Sequence, residues 1–567
     1  MGLPNKNNGE LSSGVKKDTK PVEDAHILDK VLTHVGDFGR YQMLLFLIMM
    51  PLGYTYAFVY FVQMFITATP KNYWCRVPEL AGLSMELRRN LSAPGIARGD
   101  WDHCKTFDTN WSRILETLIP PPDGTPTIPC QYGWEFELSD IPYETVTSER
   151  DWVCNHASYV PTAQSVFFAG AVLGTFVFGW IADRFGRVPA VIATNLIGGI
   201  GGIATTFTSK EWDFILCRFI VGVSFDNCFM ILYVLVLEYV GCQYRTVVAN
   251  LALALSFAVA GISLPWIAYY IADWRILLWV TSLPMFLVLL MPWFLPESVK
   301  WLVSKGRVEE AVAILKRFES MNGKKIPDDV MDEFRMFGEK AKLEEKHSIL
   351  EMLSSKELRW AMFSLILVFM GCGVVFDGLA RLADSFGLSF FAVFSFNEVF
   401  EFAAIFFVII ILDRLGRRNS TTSSSFIASV LLLIALFVPE GLPQAILAIL
   451  SRFFMTTCYT ASMQWCTEVI PTPFRASGMS IFHMSAFTAN IFSPFIVYAS
   501  RVWDMLPMVI FTVISFITAG VCLTLPETKG LALPQTKEDG ENIIREHSLC
   551  RKRKKTEDIK ISTLEAS

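Results

Sequence analysis

Gly179-Trp-Ile-Ala-Asp183-Arg184-Phe-Gly186-Arg187 and, further along, Asp413-Arg414-Leu-Gly416-Arg417-Arg418 decide how this chain is read. Each is wedged between long apolar runs. Each sets an acid at a helix end, a glycine where the backbone turns tightly, and arginines that do not cross a bilayer. Two copies of one short basic loop imply a membrane protein built from two related halves, with these loops on the cytosolic side.

The surrounding chain agrees. Of 567 residues 52% are apolar, 18% are charged, and Phe occurs 46 times, a polytopic membrane composition. Stretches long enough for a bilayer, about 20 residues each, run over 41–65, 160–182, 189–208, 212–238, 247–271, 276–295, 359–379, 388–412, 420–438, 443–466, 477–499 and 506–525, twelve in all. Residues 1–40 are polar and charged, without the apolar core of a cleavable signal, so the amino terminus is expected in the cytosol. An even number of spans returns the basic run Arg551-Lys-Arg-Lys-Lys555 to the same side. That run reads as a solvated charge cluster, ahead of a sorting or lipid-headgroup signal. The expected division is a cytosolic segment 1–40, an amino-terminal six-helix half 41–295 containing an extracellular loop 66–158, a cytosolic linker 296–358, a carboxyl-terminal six-helix half 359–525 and a cytosolic tail 526–567. A net charge of −5 decides nothing about partners.

The loop 66–158 holds Cys75, Cys104, Cys130 and Cys154, an even set in an oxidising compartment. Two disulfides are expected, with three pairings open. The sequons Asn90-Leu-Ser92 and Asn110-Trp-Ser112 read as glycosylation sites because topology puts them outside, and Asn419-Ser-Thr421, on the cytosolic side, is expected to be bare. The other cysteines, such as Cys217, Cys372 and Cys522, lack metal-ligand spacing and read as small apolar packers. In the linker, Val308-Glu-Glu-Ala-Val-Ala-Ile-Leu-Lys-Arg-Phe318 has helical apolar spacing and is expected to cover the cytosolic face of the bundle.

The halves repeat beyond their loops. Cys217-Arg218-Phe-Ile-Val-Gly222 and Ser451-Arg452-Phe open equivalent spans, which close with Glu238-Tyr-Val-Gly-Cys-Gln-Tyr-Arg245 and Glu468-Val-Ile-Pro-Thr-Pro-Phe-Arg475. Each half ends alike, at Pro296-Glu297-Ser298 and Pro526-Glu527-Thr528. No nucleophile with its base, metal cluster or phosphate-cradling loop can be assembled, so an enzyme is not expected. No cofactor, metal or nucleic-acid partner is implied.

From about residue 37 to 530 the motif order resembles the organic cation, anion and carnitine transporters of the major facilitator superfamily. The loop signatures would also fit sugar porters. The large first external loop, with Cys130-Gln-Tyr-Gly-Trp134 and Thr145-Val-Thr-Ser-Glu-Arg-Asp-Trp-Val-Cys154 followed by Gln164-Ser165, looks like the former. The resemblance implies an all-α major facilitator fold whose two pseudo-symmetric six-helix halves rock around an alternately exposed cavity. Asp183, Arg184, Arg187, Glu238, Arg245 and Glu297 are then expected to form a cytosolic charge network, with Asp413, Arg414, Arg417, Glu468, Arg475 and Glu527 as its counterpart. Lys300 departs from the arginine the family prefers.

Substrate chemistry is expected from acids within the spans. Asp226 falls in the fourth, Glu398 and Glu401 share one face of the eighth, and Asp377 comes late in the seventh. An acid at mid-bilayer costs on the order of 3 kcal/mol to insert, so these side chains should face a cavity. No lysine or arginine is expected deep enough to compensate them, and an unpaired acidic cavity attracts cations. Glu401 falls where cation transporters of the family carry a glutamate. Asp226 stands where they often carry lysine, Asp377 where they carry glutamine, and Phe487 at the eleventh-span position that is acidic in cation members and arginine in anion members. Tyr60 and Phe61, Tyr233, Phe376 and Tyr459 are candidate aromatic walls for a cation. The function expected is polyspecific transport of small organic cations or zwitterions by alternating access in the plasma membrane. Passive movement and proton coupling through Glu398 and Glu401 both stay open, and the alternatives are an organic anion carrier, a sugar facilitator or a non-transporting receptor.

Overall fold

The computed structural model describes residues 27–95, 101–122, 124–341, 349–384, 386–531 and 533–548; the run Arg551–Lys555 lies outside them. The long helices are α1 (Arg40–Ile66), α2 (Tyr159–Phe185), α3 (Arg187–Thr205), α4 (Glu211–Glu238), α5 (Cys242–Ile271) and α6 (Trp274–Phe294) in the first half. In the second they are α7 (Lys356–Arg381), α8 (Phe390–Leu415), α9 (Arg417–Ala435), α10 (Leu442–Val469), α11 (Ser477–Arg501) and α12 (Leu506–Cys522). The halves meet along α5 with α8 and along α2 with α11.

Ten of these helices are long and apolar enough to cross a membrane by length and composition, against twelve spans expected from the sequence. The two exceptions have local causes. α12 is 17 residues long. α9 carries a hydroxyl run, Ser420 to Ser425, that lowers its hydropathy. Four of the six hydroxyls donate to backbone carbonyls inside the fold, among them Thr421 to Arg417 (3.0 Å) and Ser425 to Ser515 on α12 (2.9 Å), while Thr422 and Ser424 have no partner among the described residues. Hydroxyls that bond along and between helices are compatible with an apolar surrounding.

Small residues set how closely α2 approaches α4. A Cβ on Gly170 would run into the Phe219 carbonyl, and one on Gly222 into the Phe167 carbonyl. Backbone therefore lies on backbone at this crossing. The seam fixes the rotation of α4 and so the direction of Asp226.

Between α1 and α2 lies a disulfide-bearing insertion with two short antiparallel ribbons, Tyr73–Cys75 on Trp134–Phe136 and Lys105–Phe107 on Thr127–Pro129. Of the three pairings left open by the sequence, the structure has Cys75–Cys130 and Cys104–Cys154. The insertion is tied to the bundle by Tyr143 to the Phe65 carbonyl (3.2 Å) and Thr147 to the Thr67 carbonyl (3.0 Å). Its Glu149 also pairs with Arg275 at the start of α6 (2.6 Å). We call this end of the bundle the disulfide face and the opposite end, carrying Asp183 and Asp413, the signature face. Under the first half on the signature face, helix Val308–Asn322 is anchored by Asn322, which accepts from the Tyr41 amide (2.9 Å) and donates to Gln42 (2.8 Å).

Candidate functional site

On the signature face the duplication is chemical as well as sequential. Gly186 and Gly416 adopt φ of +112° and +84°, turning the chain between α2 and α3 and between α8 and α9. Into each turn comes a carboxylate from the end of the same half. Glu297 accepts from the Arg187 and Val188 amides (2.8 and 3.1 Å), and Glu527 from the Arg417 and Arg418 amides (2.9 and 3.2 Å). Each carboxylate caps the positive end of a helix dipole, worth about 0.3–1 kcal/mol where exposed and up to about 2 kcal/mol where partly buried. Glu238 accepts from Ser298 and Glu468 from Thr528, again at equal separations in the chain.

The charge pairs of the expected networks are fewer than their members. Arg417 pairs with Glu468 (2.8 Å) and Arg187 with Asp183 (3.2 Å), whereas Arg245 reaches Asp29 (2.9 Å), which the sequence did not single out. Arg184 lies over the Trp180 ring. Asp413, Arg184 and Arg414 have no ion-pair partner among the described residues. Arg475 bonds the Thr472 hydroxyl instead of a carboxylate. Lys300 is exposed. These groups therefore act within each half, mainly on backbone amides.

In the interior the expectation of uncompensated acids is overturned. Arg452 lies ten residues into α10, about 15 Å along the helix axis, and is 1% exposed. Its Nη2 donates to both Glu398 (2.9 Å) and Glu401 (2.8 Å), which confirms that the two glutamates share a face. The Phe376 ring covers the guanidinium at 4.5 Å, so this aromatic is already engaged by a cation of the protein itself. Arg381, placed by the sequence beyond the seventh span, is the last residue of α7 and folds back on Asp377 with Nε to Oδ2 at 2.7 Å and Nη2 to Oδ1 at 3.1 Å. Arg218 on α4 is also buried, donating to Thr205 (2.8 Å). Hydropathy places such residues near a span boundary. It does not reveal which of them turn inward to a carboxylate on another helix or one turn back.

Asp377 and Arg381 also hold the halves together. Tyr60 on α1 donates to Asp377 (2.7 Å), Arg381 donates to Gln164 on α2 (2.6 Å), and Gln164 in turn donates to Thr67 (3.0 Å). Ser165 on α2 donates to the Ile491 carbonyl on α11 (2.6 Å). Phe61 and Phe65 meet Phe394 edge-on, each at 5.1 Å. This layer joins the two halves at the disulfide end of the bundle. A cleft of about 180 Å³ lies against it, reaching Gln164, Arg381 and Arg501 but none of Asp226, Glu398 and Glu401.

Asp226 stands apart. It is 6% exposed, has no basic partner, and its Oδ1 carries no hydrogen bond among the described residues. Tyr56, which the sequence reading passed over although it lies one turn from Tyr60 on the same face, is a close polar neighbour of the carboxylate. The Tyr56 ring stacks on Phe225 at 5.0 Å, and Phe487 from the other half meets Phe225 at 5.7 Å. Tyr459 from α10 stands within electrostatic reach of Asp226. Tyr233 packs on Phe229 (5.8 Å), further toward the signature face.

A family model described as sugar (and other) transporter matches residues 132–539. Rabbit (Oryctolagus cuniculus) solute carrier family 22 member 1 is 32% identical over 539 residues, covering 91% of this chain and 96% of that protein. Rat solute carrier family 22 member 3 is 30% identical over 549 residues, covering 93% and 98%. The carcinine transporter of Drosophila melanogaster is 29% identical over 553 residues, covering 94% and 82%. Among solved structures, the proton:xylose symporter XylE bound to 6-bromo-6-deoxy-D-glucose superposes with a TM-score of 0.56 at 16% identity, over 89% of this chain and 99% of that one. The inward-open conformation of XylE from E. coli gives 0.57 at 14% identity, over 88% and 99%. At these identities the likeness carries the major facilitator fold alone.

Proposed function

Since this chain belongs to the sugar (and other) transporter family and, within it, to solute carrier family 22, we propose that it carries small organic cations across the membrane by alternating exposure of the central cavity, with Asp226 as the counter-charge. The observation that carries this reading is the Asp226 carboxylate: buried, without a basic partner, and with one oxygen free of any donor. Leaving such a charge unpaired in an apolar interior is costly, so a bound cation gains what the protein itself withholds. Tyr56, Tyr459, Phe225 and Phe487 offer ring faces around it, suited to an ammonium or a larger quaternary head. Tyr60 supports the wall through its stacking on Phe225 (5.4 Å). Phe487 also leaves that position of α11 without the arginine an anion carrier would want. The name of the Drosophila relative, a carcinine transporter, is compatible with a small organic cargo.

Glu401, Glu398 and Asp377 shape the electrostatics from behind their guanidinium partners, so direct contact with cargo is assigned to Asp226. The signature face and both termini belong in the cytosol in this reading, at the plasma membrane. The disulfide insertion lies outside, with Asn90 and the exposed Asn110 glycosylated; a glycosidase mobility shift lost in the double Asn→Gln variant tests that topology.

Function is tested with the purified full chain in proteoliposomes, offering radiolabelled phenethylamine, benzoate and glucose. Phenethylamine should accumulate under an inside-negative potential, Asp226→Asn should abolish that uptake, and Asp226→Glu should retain part of it. Preferred uptake of benzoate or glucose, or amine uptake indifferent to Asp226→Asn, overturns the reading. Binding without movement of label would leave a receptor of the same fold.

A further inference from the structure

Asp226 has two deficits, and they ask different things of a ligand. Its charge has no basic partner among the described residues, which any cation corrects. Its Oδ1 has no hydrogen-bond donor among them, which an N–H or O–H group corrects and a bare positive charge does not. That oxygen is itself buried, so in this arrangement water does not take the donor's place.

The aromatic wall beside the carboxylate is interlocked. The Tyr56 ring stacks on Phe225 at 5.0 Å and on Phe229 at 5.4 Å, and meets Phe257 edge-on at 5.1 Å. Phe225 is met in turn by Tyr60 (5.4 Å) and by Phe487 of the other half (5.7 Å). Rings held on several sides do not swing aside one at a time. Their faces attract any ammonium through its charge, with or without hydrogen on the nitrogen. The carboxylate does not treat the two kinds alike. An ammonium that carries N–H approaches an oxygen to about 2.8 Å. On a quaternary nitrogen the methyl groups stand between charge and oxygen, so the hydrogen bond is lost and the Coulomb attraction, which falls with separation, weakens as well. Oδ1 would then stay without a donor even in the loaded site.

We propose that Asp226 makes this chain a carrier of protonated amines that keep at least one N–H, and that it rejects quaternary ammonium compounds of the same charge and skeleton. This rests on the preceding functional reading and narrows its cargo class. One oxygen lacks a donor, so one N–H satisfies it, and further N–H groups add little. The discrimination is therefore a step at the last N–H and not a slope along the series. Apolar surface runs the other way, since each methyl adds to it. A site that read only charge and apolar area would hold the quaternary compound at least as well as the others.

The test compares radiolabelled phenethylamine with its N-methyl, N,N-dimethyl and N,N,N-trimethyl derivatives, all singly positive near pH 7. Initial uptake is measured with the full chain in proteoliposomes under an inside-negative potential, less the signal of protein-free vesicles. The first three should agree in kcat/KM within about threefold, and the trimethyl compound should fall about ten- to a hundredfold below the dimethyl one. This series needs no variant. Phe487→Ala, which opens the wall from the other half, should leave the step in place; trimethyl uptake raised to the dimethyl level there would make the cause steric and overturn the proposal. Equal rates for all four, a preference for the quaternary compound, or a steady decline with each methyl also overturns it while leaving the cation reading intact. Absence of uptake of all four removes that reading, and this one with it.

Discussion

Replacing Gln164 with Leu isolates one thread of the layer that closes the disulfide face. Gln164 sits on α2 and accepts from Arg381 of α7 at 2.6 Å, so this bond joins the two halves, whereas its own donation to Thr67 stays within one half. A hydrogen bond to a charged group contributes roughly 1.5–3 kcal/mol, and Leu keeps the volume while removing the acceptor. Arg381 remains neutralised by Asp377, so no bare charge is created and the loss is confined to the cross-half contact. The closed arrangement should then lose between about tenfold and a hundredfold in population relative to one open at the disulfide face. Labelling of Phe487→Cys, on α11 facing Phe225, by a membrane-impermeant thiosulfonate reads that opening, with the parent chain as background for native cysteines. Its rate should rise by at least tenfold on adding Gln164→Leu, and by less than twofold on adding Thr67→Val, which removes only the contact inside the first half. A rate unchanged by Gln164→Leu, or raised equally by both, would refute the assignment of this layer as the closure.

Gly416→Ala places a Cβ on a residue at φ +84° and within 2.7 Å of the Glu527 carboxylate that caps α9. A loss of roughly 1–3 kcal/mol in stability is expected, seen as an earlier thermal unfolding transition in detergent; an unshifted transition would show that the turn tolerates a side chain. Glu149 titrates below the ordinary carboxylate range because the Arg275 guanidinium and the Trp274 indole bond it. Its stabilising effect is therefore present above the unfolded carboxylate pKa and fades as pH falls through the depressed folded value. The stability gap between wild type and Glu149→Gln should accordingly narrow in acid, and a gap that stays constant or widens there would contradict the pairing.

The duplicated frame was legible because it is written in local chemistry. A glycine that must turn, an acid that must cap and arginines at the helix start recur at fixed spacing, and the structure repeats the cap: Glu297 with the Arg187 amide and Glu527 with the Arg417 amide, both 110 residues apart. Hydropathy was a poorer guide where hydroxyls replace methyls. α9 hides its membrane character behind Ser420 to Ser425, four of whose six hydroxyls donate to backbone carbonyls.

Acids at the site were legible and their partners were not, for a physical reason. A carboxylate deep in an apolar run announces itself by cost, whereas a guanidinium reaches several ångströms from its backbone, so its position along the chain does not say which carboxylate it serves. Arg452 was visible as half of a repeated pair with Arg218, yet the repeat does not extend to the acids. Counting back from Asp183 as Glu398 and Glu401 lie back from Asp413 arrives at Phe168 and Ala171. Arg218 is left with Thr205 and the Phe214 ring. The halves are thus alike where they meet water and unlike inside, and the asymmetry locates the chemistry. With Asp377 neutralised by Arg381, attraction for a cation does not come from four bare acids lining one chamber. It resides at Asp226 in the first half and in the surplus charge on Arg452 in the second, and those two centres are built differently: one lies beside stacked aromatic rings of both halves, the other is shut against Gly261 of α5.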